Sequence, residues 1–77
     1  MDERKVKGYY ALWVDAWRLF KQWAEECDGS DSFFEKAEKE AHAFADKHVT
    51  YKWLAFQLVM DILTELGRAS ATEREAV

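Results

Sequence analysis

Seventy-seven residues with a net charge of −4 and an isoelectric point near 5.1 make one domain. They argue against a surface built to grip nucleic acid or an anionic membrane, since both need clustered positive charge. The single cysteine, Cys27, excludes an internal disulfide, and no cluster of ligand residues suggests a structural zinc site.

A chain this short buries only about 60% of the surface its unfolded form exposes. Dense packing of the aromatic residues, 16% of the chain, or a second molecule has to supply what is missing. Proline is absent and glycine occurs three times, which with a 3.6-residue apolar period predicts an all-α fold. The charged start MDERKVKGYY has no apolar segment of signal-peptide type behind it, and the longest uncharged apolar run, Trp53 to Met60, is too short to span a bilayer. A cytoplasmic protein is the expectation.

Helix 1 is expected over about residues 6–27. Its main seam is Val6, Tyr9, Trp13, Trp17, Phe20, Ala24 and Cys27, stepping by threes and fours as one helical face must. Gly8 weakens the first turn by about 1 kcal/mol relative to alanine. A second ridge, Leu12, Ala16, Leu19 and Trp23, widens the face on one side, and Tyr10 and Val14 widen it on the other. Asp15, Arg18, Lys21, Gln22 and Glu25 fall on the solvent side. A bundle helix spends about three residues in seven on its neighbours. Helix 1 spends more, and much of the excess is Trp and Tyr.

Cys27 to Asp31 is a turn by composition. Ser32 and Glu35 have the form of a capping box, so helix 2 is expected over about 32–47, with Asp31 as an alternative cap. Its apolar face is Phe34, Ala37, Ala41, Phe44, Ala45 and His48, thin and rich in alanine. Thr50 is the expected N-cap of helix 3, over about 50–66. The stretch WLAFQLVMDILTEL is apolar nearly all round, leaving Gln57, Asp61, Thr64 and Arg68 as a polar strip. Such a helix is buried on several sides, so it is read as the central one. Gly67 suits the end of the helix, and the polar tail 68–77 is expected to be disordered, leaving residues 1–67 as the domain. Short loops make successive helices antiparallel, which predicts a three-helix bundle.

Few residues suggest chemistry. Glu38, His42 and Asp46 share a face of helix 2 at i,i+4 spacing, but without the second helix's carboxylates that bundle metal sites use, a solvated charged face is expected. His48 falls on the apolar face at a helix C-terminus, where it either packs and caps or responds to pH. Cys27 reads as a small buried hydrophobe. Arg4, Lys5 and Lys7 ahead of Tyr9, Tyr10 and Trp13 loosely suggest single-strand binding, opposed by the acidic remainder. No catalytic, cofactor-binding or metal-binding residue is expected, and no enzyme activity.

The aromatic surplus of helix 1 remains, because Trp and Tyr concentrate at interface centres. The candidate contacts are Tyr10, Val14 and Trp17 on one flank, or Leu12, Leu19 and Trp23 on the other. The alternative is that all four Trp fill the core.

Three segments, YYALWVDAWRLFKQWA, FFEKAEKEAHAFADKH and WLAFQLVMDILTEL, carry a resemblance. Across about residues 9–68 the chain resembles a group of small helical proteins of Gram-positive bacteria and their mobile elements. Its second helix is richer in alanine than that pattern. The resemblance implies an all-α fold and brings no assigned activity. The expectation is a small interaction or adaptor protein that self-associates or binds another protein through helix 1. The alternative is a nucleic-acid-associated regulator from a mobile element, using Arg4, Lys5, Lys7 and the flanking Arg18 and Lys21.

Overall fold

The computed structural model describes residues 1–75. Three helices follow one another, α1 (Glu3–Glu26), α2 (Asp31–Lys47) and α3 (Lys52–Glu75), with a single 3₁₀ turn (Val49–Tyr51) before the last. The architecture is the expected all-α three-helix bundle. α3 packs against both other helices, most closely against α2.

Local chemistry sets the helix starts. The Asp2 carboxylate accepts from the Arg4 N–H at 2.9 Å and begins α1 several residues before the expected start at Val6. α2 begins at Ser30 rather than at the Ser32 box, because the Ser30 hydroxyl accepts from the Phe33 N–H at 3.1 Å. Asp28 holds Ser30 in place, its Oδ1 accepting from the Ser30 N–H and hydroxyl at 2.9 and 2.5 Å. Gly29 makes that turn possible with φ 76°, a conformation in which a Cβ is strained. Thr50 does not cap α3: it lies inside the 3₁₀ turn, which carries no side-chain cap.

Gly67 does not end α3. The helix passes through it and runs to Glu75, so the expected end of the helix near residue 66 is corrected. Gly67 keeps a helical φ and passes Phe34 of α2 closely, and one turn on Ser70 Oγ lies 3.2 Å from Cys27 Sγ. The sequence beyond it holds no proline and several good helix formers. Ala76 and Val77, the last of the expected tail, lie outside the described residues.

The core is built from Leu12, Ala16 and Trp23 of α1, Phe33, Ala37, Ala41 and Phe44 of α2, and Ala55, Val59, Leu63 and Leu66 of α3. The thin alanine face of α2 is where the sequence placed it, with Phe33 added. On α1 the structure buries the second ridge, not the expected main seam. Val6, Trp13, Trp17 and Ala24 of that seam are exposed, and Tyr9, Phe20 and Cys27 are half-buried at its edge. The reason is geometric. Two slim neighbours cover one ridge and its borders, and leave the rest of the broad apolar surface of α1 outside. α3 is less enclosed than its composition suggests. Trp53 is 94% exposed and Phe56 is also on the surface, although both belong to its most apolar stretch.

Gly8 has a packing role the sequence did not show. A Cβ there would stand 2.8 Å from Cζ of Tyr51, whose ring lies 4.4 Å from that of Tyr9. The missing side chain admits the 3₁₀ turn against the start of α1.

Candidate interaction face

The α2-facing side of α1 is polar. Asp15 Oδ2 lies 2.9 Å from His48 Nε2 and 3.0 Å from Lys47 Nζ, both at the end of α2. An ionised carboxylate only accepts, so Nε2 donates this bond. The Lys47 hydrogen bond holds the Asp15 carboxyl below its usual range against the opposing effect of burial, with help from His48. His48 also packs on the Phe44 ring at 4.7 Å. The ring thus packs, with Asp15 rather than a helix carbonyl as its partner, a residue that sequence reasoning had left in solvent. Farther along, Gln22 Nε2 donates to Glu40 at 3.2 Å, and Lys36 reaches Glu26 at 3.5 Å.

The opposite side of α1 is apolar and bare. At about 100° per residue, Val6, Tyr10, Trp13 and Trp17 lie across the helix axis from Asp15 and Gln22, and therefore away from α2. Tyr10 is 71%, Trp13 52% and Trp17 57% exposed. Their steps of four, three and four residues form one continuous stripe. Trp17 stacks on Phe20 with ring centres 5.5 Å apart, and Lys21 Nζ stands 5.8 Å above the Trp17 ring. Beside it α3 presents a mixed face, on which Glu65 pairs with Arg68. Phe56 and Gly67 turn toward His42 and Phe34 of α2, so Leu54, Leu58 and Glu65 are on the side of α3 away from α2. Leu54 and Leu58 are half-buried there and Glu65 is exposed.

Of the six candidate contacts, Tyr10 and Trp17 stand free on this stripe, with Val14 half-buried at its border. Leu12 and Trp23 are fully buried, so that flank is core and cannot meet a partner; Leu19 is half-buried against it. Trp13 was assigned to the core seam and joins the exposed stripe instead. The period alone revealed all three apolar ridges but not which of them the neighbours would cover.

The remaining candidates stay apart. Glu38, His42 and Asp46 are exposed, the His42 ring lies 5.3 Å from Phe56, and Asp46 pairs with Lys52 at 3.6 Å. Among the described residues no three His, Cys, Asp or Glu side chains gather as metal ligands. Arg4, Lys5 and Lys7 are exposed beside Asp2 and Glu3. No helix among the described residues is long and apolar enough to cross a membrane. Compared with protein-family models, curated proteins and solved structures, the chain finds no match.

Proposed function

We propose that the protein is a small non-enzymatic interaction module, working as an adaptor through the bare stripe of α1. The observation that carries this reading is the exposure of Tyr10, Trp13 and Trp17 along one line, in a chain whose core takes in only Trp23 of its four tryptophans. Each such ring exposes on the order of 100–200 Å² of mostly apolar surface, and burying it on a partner is favourable by about 25 cal/mol per Å². Three together make a patch of roughly 450 Å², in the range of the largest patches on monomeric proteins, which are often functional. Two χ angles per ring keep the ordering cost low.

The test is capture on the immobilised chain and on its Tyr10→Ser/Trp17→Ser variant, with circular dichroism confirming equal helicity. The expected result is a retained protein that the variant loses. Identical retention by both would overturn the reading. A salt titration against DNA and RNA is expected to be flat; a steep slope would favour the nucleic-acid-associated regulator in its place.

A further inference from the structure

We draw no further inference here: the strongest candidate, the exposed aromatic stripe of Tyr10, Trp13 and Trp17 along α1, carries nothing beyond the function proposed for it, because nothing in the structure shows what covers it.

Discussion

The two apolar sides of α1 differ in their cover: Leu12 and Trp23 are sealed on one, whereas Tyr10, Trp13 and Trp17 stand exposed on the other. On one side α2 approaches with Ala37, Ala41 and Ala45, all buried, and Phe33 and Phe44 at the flanks. On the other side three large rings stand in the open. Burial here is decided by where the third helix can come close, not by which ridge is greasiest. Alanine permits a short interaxial distance; a row of indoles holds a neighbour off. The lesson for reading such chains is that two apolar ridges on the same helix compete for the core, and the position of the neighbouring helices decides which is buried.

The sharpest break of this comparison is a pair of tryptophan truncations. Trp23→Ala removes a fully buried ring from the covered side and is expected to cost about 3–5 kcal/mol in urea unfolding, enough to unfold much of the population. Trp17→Ala, measured at dilute concentration, is expected to cost less than about 1 kcal/mol. Equal costs would show that the exposed stripe carries the monomer's stability after all.

Overpacking tests the other half. Ala41 is fully enclosed, so Ala41→Leu is expected to destabilise by about 1–3 kcal/mol as α2 is pushed outward. A neutral result in thermal melts would mean that α2 has slack and that close approach does not select the buried ridge.

The number, type and order of the helices were legible in the sequence because apolar period and missing proline are local signals. The alanine face of α2 was legible for the same reason. Three things were not. The rotation of α1 depends on where two other helices lie, which no spacing within α1 encodes. The start of α2 turns on Ser30 being held by Asp28, a pairing that competes with an equally well-formed box one half-turn later. Gly67 reads as a stop, yet the helix runs on through it with a helical φ, and a Cβ there would meet Phe34 only at ordinary contact distance. The interface candidates divided along the same line, with Tyr10 and Trp17 open while Leu12 and Trp23 are sealed.

The smallest expected effect concerns the polar contacts that join α1 to the end of α2. The Asp15 carboxyl is held below its ordinary value, so its contribution is fully present above about pH 4 and is lost as pH falls through its lowered folded value. Asp15→Asn is therefore expected to cost under about 1 kcal/mol at neutral pH, discounted for partial solvent access, and the gap to the parent should close in acid. A gap that is constant with pH would mean that geometry rather than charge holds the two helices there.

The vacancy at Gly8 has a mechanical consequence. Sliding of α1 along its neighbours by a screw motion of one turn is opposed by the buried side chains of Leu12 and Trp23. Tyr51 adds to this by seating its ring where α1 has no side chain. Slippage by a turn in either direction would confront it with Arg4 or Leu12, neither of which leaves a notch. A single absent methyl thus adds a detent at one end of the contact, where the 3₁₀ turn meets the start of α1.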